Sequence, residues 1–419
     1  RAHTVEISLE KRYNNAIFHS RRAALNHMSM PLSATTTCLL NTPQGWGLLH
    51  FPGPFSFISL IPAGLWSLEY KQELSTPLCI VASRGHLACL RHLLHRQADP
   101  NLAPGGWAPL HEACCRGHAA CVDLLLEHQA DPNLRSDEGL APLHLCTARN
   151  SLCAELLLKY GATVNLPSED SGETALHVAA RHSLYDHAHL YLKHGANVDA
   201  RSTRGETALS LLCRQAPDAA EDALQLCRLL VVHGAKLDAR DELQRSPLHE
   251  ACGAANAVLA RFLLRRGADV NAIDYNGISP LGCVLQAAAF KQELRPHLVV
   301  QLLLNYGSQK IWPHAFAKVL VLVSCAAVPE VIEILMNSYS QIPISEKWVE
   351  AVPQEVLQQH QPFYESFFRL SGTVRSLQHL CRSAIRKKFG SRCHCLIPSL
   401  PVPKPLLDYL LLEPEGVLL

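Results

Sequence analysis

Ala108-Pro109-Leu110-His111 is followed 33 residues later by Ala141-Pro142-Leu143-His144, and 33 later again by Thr174-Ala175-Leu176-His177. The phrase also stands as Thr76-Pro77-Leu78-Cys79, Thr207-Ala208-Leu209-Ser210, Ser246-Pro247-Leu248-His249 and Ser279-Pro280-Leu281-Gly282. Its starts lie at 76, 108, 141, 174, 207, 246 and 279, so the steps are 32, 33, 33, 33, 39 and 33. Only one step is clearly long, and its extra residues fall at Gln215 to Asp222, as a loop insertion would. A fixed period of this length is the mark of stacked repeats.

Each residue of the phrase has a physical task. Thr or Ser ahead of a helix can cap the free amides of the first turn. Proline at the first helical position loses no hydrogen bond. The Leu opens an apolar stripe, continued in the second repeat by Ala113 and Cys114. Arg116-Gly117-His118 breaks that helix, and Val122, Leu124, Leu125 and Leu126 belong to a second one. Turns such as Gly161-Ala162-Thr163-Val164-Asn165 and Gly267-Ala268-Asp269-Val270-Asn271 close the unit. Glycine there supplies a left-handed cap, and Gln97 and Gln129 take its place in the first two repeats at some local cost.

The period and phrase are the ankyrin pattern. The expected fold is all-α, an ankyrin-repeat solenoid of helix pairs joined by β-hairpin turns and followed by a small helical box. Seven clear units occupy residues 73–310. A degenerate capping repeat and connector occupy 311–370: Pro313 keeps the period, Phe316 to Leu322 reads as a first helix and Val331 to Met336 as a second. Pro313, Lys318 and the register exclude a membrane span from Ile311 to Val328. Residues 1–72 carry no ankyrin phrase and read as a poorly ordered segment. Its apolar stretch Leu48 to Leu68 is broken by Pro52, Gly53, Pro54, Pro62 and Gly64, against a membrane helix.

With 38 basic and 37 acidic residues, the chain has no overall electrostatic footprint for nucleic acid or a membrane surface. Its 16 cysteines are scattered without paired spacing. They read as reduced core residues of an intracellular protein, cytoplasmic or nuclear. The histidines of the phrase read as bonds within and between repeats rather than as catalytic groups. No cofactor is implied.

Residues 371–419 carry a second signal. Over Ser376 to Gly390, Leu377, Leu380, Cys381, Ala384 and Ile385 form one apolar helical face. Arg382, Arg386, Lys387, Lys388 and Arg392 read as a solvated face at the helix end, not a nucleic-acid site. Ile397-Pro398-Ser399-Leu400-Pro401-Val402-Pro403 follows, then a short apolar helix with Leu406, Leu407, Tyr409 and Leu410. The spacing of His379, Cys381, Cys393, His394 and Cys395 fits no common zinc site.

This end of the chain resembles the SOCS box. Ser376, Leu377 and Cys381 match its elongin-binding motif, and Leu400-Pro401-Val402-Pro403 its cullin motif, with Val402 for Leu. Array and box together resemble the ankyrin repeat and SOCS box family over residues 65 to 415. Leu65-Trp66-Ser67-Leu68 and Pro362-Phe363-Tyr364 also fit, while residues 31 to 64 are not covered. The resemblance implies a non-catalytic substrate receptor of a ubiquitin ligase. Leu377, Leu380, Cys381, Ala384 and Ile385 would dock on elongin C, the partner of elongin B. Ile397, Leu400, Pro401, Val402 and Pro403 would recruit cullin-5 and its RING-box protein. The array would hold an unknown protein target, and tethering would raise the local concentration of its lysines. Candidate target contacts at the turns are Arg135, Asp137, Glu138, Arg201, Arg204, Arg240 and Asp241, with Trp107 as an aromatic anchor. A ligase carrying ubiquitin on its own cysteine would need a large domain for which no stretch remains. The alternative is an ankyrin scaffold or inhibitor without ligase coupling.

Overall fold

The computed structural model describes residues 36–42, 45–51, 75–215, 220–310, 325–341, 348, 352–370 and 375–416. The Leu65 to Leu68 phrase, Pro313 and the expected helix from Phe316 to Leu322 lie outside them. Ahead of the array, β1 (Thr36–Thr42) and β2 (Gly45–Phe51) pair antiparallel, with Leu39 opposite Leu48. This hairpin is an addition to the otherwise helical fold expected from the sequence.

Helix pairs follow at the repeat period. They are α1 (Pro77–Arg84) with α2 (Leu87–His95), then α3 (Pro109–Arg116) with α4 (Ala119–Glu127). In the third repeat a short 3-10 turn (Pro142–Leu145) replaces the first helix before α5 (Leu152–Lys159). His144 stands 17 residues before Gly161, whereas 18 separate His111 from Gln129 and His177 from Gly195. With one residue fewer, the first helix tightens and stops. The array continues with α6 (Ala175–Arg181), α7 (Tyr185–Lys193), α8 (Ala208–Cys213) and α9 (Ala220–Val232). It then runs through α10 (Pro247–Gly253), α11 (Ala257–Arg265), α12 (Pro280–Ala287) and α13 (Pro296–Asn305). The expected second helix of the capping repeat is α14 (Pro329–Ser338), followed by α15 (Gln354–Gln359) and α16 (Gln361–Arg369). The box comprises α17 (Leu377–Phe389), the single turn α18 (Cys393–Leu396) and α19 (Lys404–Leu410).

One continuous apolar core runs from Leu78 to Phe367, and Leu110, Leu125, Leu176, Leu209, Leu248 and Leu281 are each almost wholly buried in it. At roughly 1.5–3 kcal/mol for each buried leucine, this layer is the main drive for stacking. Polar bonds set its register. The imidazoles of His111, His144, His177 and His249 each accept the backbone N–H of the residue before the helix at Nδ1. Each donates from Nε2 to a carbonyl of the following turn: Leu140, Glu173, Glu206 and Ile278, at 3.0–3.1 Å. They bond within and between repeats, as the sequence suggested. Direct capping by the hydroxyl occurs where His is absent, at Thr76, Thr207 and Ser279.

A second ladder joins the turns. Asn101, Asn133, Asn165, Asp199, Asp238 and Asn271 each accept, at Oδ1, a backbone N–H of the next repeat. Gly161 (φ 90°) and Gly195 (φ 82°) occupy left-handed caps, and Gln97 (φ 62°) and Gln129 (φ 65°) are forced into the same region.

Two outcomes are expected. Gln129→Gly relieves a left-handed non-glycine residue and raises stability by about 0.5–1 kcal/mol in urea unfolding. Burial lowers the four histidines below their ordinary 6.5. The unfolded chain binds these protons first as pH falls. The histidine contribution is therefore complete above about pH 6.5 and is lost below it. The urea midpoint should drop between pH 7.5 and pH 5.5, and drop less in a His177→Asn variant.

Candidate functional site

The box helix α17 turns most of its apolar face outward and its basic side inward. Leu377 is 77% exposed, Leu380 40%, and Cys381 and Ala384 are also exposed. These four form one outward apolar face. Ile385 points inward instead. It packs with Phe389, Cys393, Ile397, Leu400, Leu407, Leu410 and Leu411 in a small core belonging to the box.

The basic side of α17 faces the array. Arg382 is 3% exposed and His379 1%. Arg386 donates to Asn305 Oδ1 (2.6 Å), Leu410 O (2.8 Å) and Leu304 O (3.3 Å). Arg382 stacks on the Tyr409 ring at 4.0 Å and donates to Tyr409 O at 3.4 Å. Its second nitrogen donates to His379 Nδ1 (2.9 Å), as does Arg375 at 3.1 Å. His379 passes the chain on from Nε2 to Tyr339 O (2.7 Å), and Arg375 also reaches Asn337 Oδ1 (3.0 Å). Burial and the two guanidinium groups push His379 down to about 4, so its ring is neutral and accepts from both.

The expectation of a solvated basic face is therefore corrected for Arg382 and Arg386, while Lys387, Lys388 and Arg392 are exposed. The cause is electrostatic. Helices α13 and α19 end here, and the chain leaves α14 here, with carbonyls that have no partner in their own helix. Cations are favoured at such ends. Among the described residues none of the three arginines has a carboxylate within ion-pair distance.

In the second motif Ile397 is fully buried, so it holds the box together rather than offering a contact. Leu400 and Val402 are half-buried and Pro401 and Pro403 exposed. Val402 N–H donates to Leu400 O (2.9 Å), making a tight bend, and Pro403 precedes α19. The cysteines and histidines here diverge: Cys381 faces outward, Cys393 is buried and the His394 ring stacks on Tyr306 at 3.7 Å.

Many of the turn candidates serve the turns themselves. Arg201 donates to Arg240 O (3.1 Å), and Arg240 to Gln244 O (2.9 Å) and Ile273 O (3.3 Å). Arg135 pairs with Glu169 at 3.5 Å. Asp241 accepts the Arg245 N–H at 2.7 Å, and burial raises its carboxyl. Trp107 is half-buried with its ring tilted on His111. Asp137, Glu138 and Arg204 are exposed. Residues not singled out from the sequence make the apolar part of this edge: Leu243, Ile273 and Tyr275 are 47, 62 and 79% exposed. Tyr275 N–H donates to Leu243 O (2.8 Å), so two neighbouring tips carry them side by side. Apolar residues at turn positions were the available signal.

Comparison with known proteins supplies the relationship. The SOCS box family matches residues 373–411, and the ankyrin repeat family (3 copies) matches 60–136, 128–202 and 185–274. The chain is 59% identical to human ankyrin repeat and SOCS box protein 18 over 359 residues, covering 85% of this chain and 77% of that protein. It is 41% identical to mouse ankyrin repeat and SOCS box protein 16 over 356 residues, covering 84% and 77%. It is 47% identical to human ankyrin repeat and SOCS box protein 10 over 395 residues, again covering 84% and 77%. The chain belongs to the ankyrin repeat and SOCS box family. Its SOCS box match takes in α17, α18 and α19 and ends at residue 411.

Within this SOCS box, Arg386→Leu should be far more damaging than Lys387→Leu. The first removes the donor to the Leu410 carbonyl and to Asn305 Oδ1 and should destabilise the box by about 2–4 kcal/mol. The second alters an exposed side chain and should stay within about 0.5 kcal/mol. Hydrogen exchange of α17, compared between the two variants, reads the difference.

Proposed function

We propose that this protein is the substrate receptor of an elongin B/C, cullin-5 and RING-box ubiquitin ligase, acting in the cytoplasm or nucleus. The observation that carries the reading is the outward face of Leu377, Leu380, Cys381 and Ala384. A short helix that buries arginines and exposes leucine presents an apolar surface suited to a partner. Elongin C is the partner on this reading, paired with elongin B. Ile385, counted from the sequence as a contact, supports the face from within.

The exposed Pro401 and Pro403, with Leu400 and Val402 between the box core and solvent, form the cullin-5 contact. Ile397 fixes that bend from below. The ankyrin turns hold the target protein, with Leu243, Ile273 and Tyr275 as the apolar centre and Arg204, Asp137 and Glu138 as charged contacts along the same edge. The chain itself is non-catalytic. It works by holding target lysines near ubiquitin activated elsewhere in the complex.

Leu377→Ala with Cys381→Ala should abolish elongin capture, each truncation weakening it by roughly 2–4 kcal/mol. Both side chains are exposed, so the unfolding midpoint should not move. Retained co-purification of elongins B and C would sink the assignment and leave the scaffold alternative. Pro401→Ala with Leu400→Ala should weaken cullin-5 binding while elongins remain bound, as measured on purified components.

A further inference from the structure

The segment after α19 runs between two cores. Leu410 is buried in the small core of the box, and Leu412, two residues later, is wholly buried in the long core of the array. Leu412 sits at φ 66°, a left-handed conformation that leucine rarely adopts. Such strain persists only where the surroundings determine it, and here the buried side chain is the reason.

Backbone groups along this stretch are held from both sides. Arg382 and Arg386, from the box, donate to the Tyr409 and Leu410 carbonyls. Gln301 (3.1 Å) and Asn305 (3.0 Å), from α13, both donate to Leu411 O. Glu333, on α14 and 1% exposed, accepts the backbone N–H groups of Glu415 (2.6 Å) and Gly416 (2.9 Å), one on each carboxylate oxygen. A carboxylate placed in a helix interior with two backbone donors brought to it satisfies a burial that would otherwise be strongly unfavourable. Leu412, Glu415 and Gly416 all lie beyond the family match, which ends at residue 411.

We propose that Tyr409–Gly416 is a latch that fixes the orientation of the box on the array, with Leu412 and Glu333 as its positioning residues. An elongin-binding box needs only its own core and its outer face. A receptor also needs a fixed distance between what the array holds and what the box recruits, and the latch supplies that constraint. This consequence rests on the receptor reading, whereas the latch itself rests on the contacts alone.

The test compares the full chain with Leu412→Asp, Glu333→Gln and the conservative Leu412→Met. Hydrogen exchange at 409–416 and across α17 should quicken by about tenfold or more in the first two, stay near wild type in Leu412→Met, and be unchanged in α3 to α11. Elongin capture should persist, because the outer face of α17 is untouched. In a reconstituted ligase, the lysines of the chain itself that receive ubiquitin should spread to new positions in Leu412→Asp and Glu333→Gln. A purely structural contribution to stability would not redistribute them. If Leu412→Asp does not fold, Glu333→Gln carries the comparison. Unchanged exchange in α17 in the folded variants, or an unchanged lysine pattern, would overturn the latch. If wild-type chain captures no elongin, the receptor reading fails, and the exchange arm still decides the latch.

Discussion

The fold depends on one constraint: no repeat can cover its own apolar face. Each layer of leucines is buried only when the next repeat arrives in register. The histidine Nε2 bond and the Asn/Asp bond to the next turn fix that register at two points, one near the start of the first helix and one in the loop. Because both are made to backbone groups, they tolerate changes in the neighbouring side chains. The third repeat shows this. Its first helix shrinks to a 3-10 turn, yet His144 still reaches Glu173 O and the stack continues.

The same constraint explains how the array ends. Beyond α14 the core is covered in part by Phe363, Tyr364 and Phe367 of α16, and helix-end carbonyls remain. The box completes the end of the array. Leu412 enters the core, while Arg375, Arg382 and Arg386 are gathered where helices end. Burying Arg382 and half-burying Arg375 and Arg386, with no carboxylate partner among the described residues, is tolerable because helix ends carry partial negative charge and because His379 is neutral. The box is thus a cap on the solenoid.

That arrangement makes the outward face of α17 unusual. Polar residues anchor the helix and apolar ones are left free. With the anchoring face packed on the array, Leu377 and Cys381 stay exposed and the fold does not depend on them. Ile385 and Ile397, which the sequence groups with the contact residues, stand behind that outward surface.

The sequence alone determined the repeat array, because proline, leucine and the capping residues act locally and recur at a fixed period. It also placed the box helix, its leucine spacing and the second helix of the capping repeat. Relative faces of a helix are legible in this way, since spacing decides which side chains lie together. Which face turns inward is not, because that depends on what the neighbours offer. The carbonyls of Leu304, Tyr339 and Leu410 come together only when helices distant in the chain converge, and only then does an arginine face become the buried one. Tertiary structure likewise decided that Leu243, Ile273 and Tyr275 share an edge, and that Leu412 belongs to the array rather than the box. Each depends on contacts between residues far apart in sequence, on which local spacing is silent.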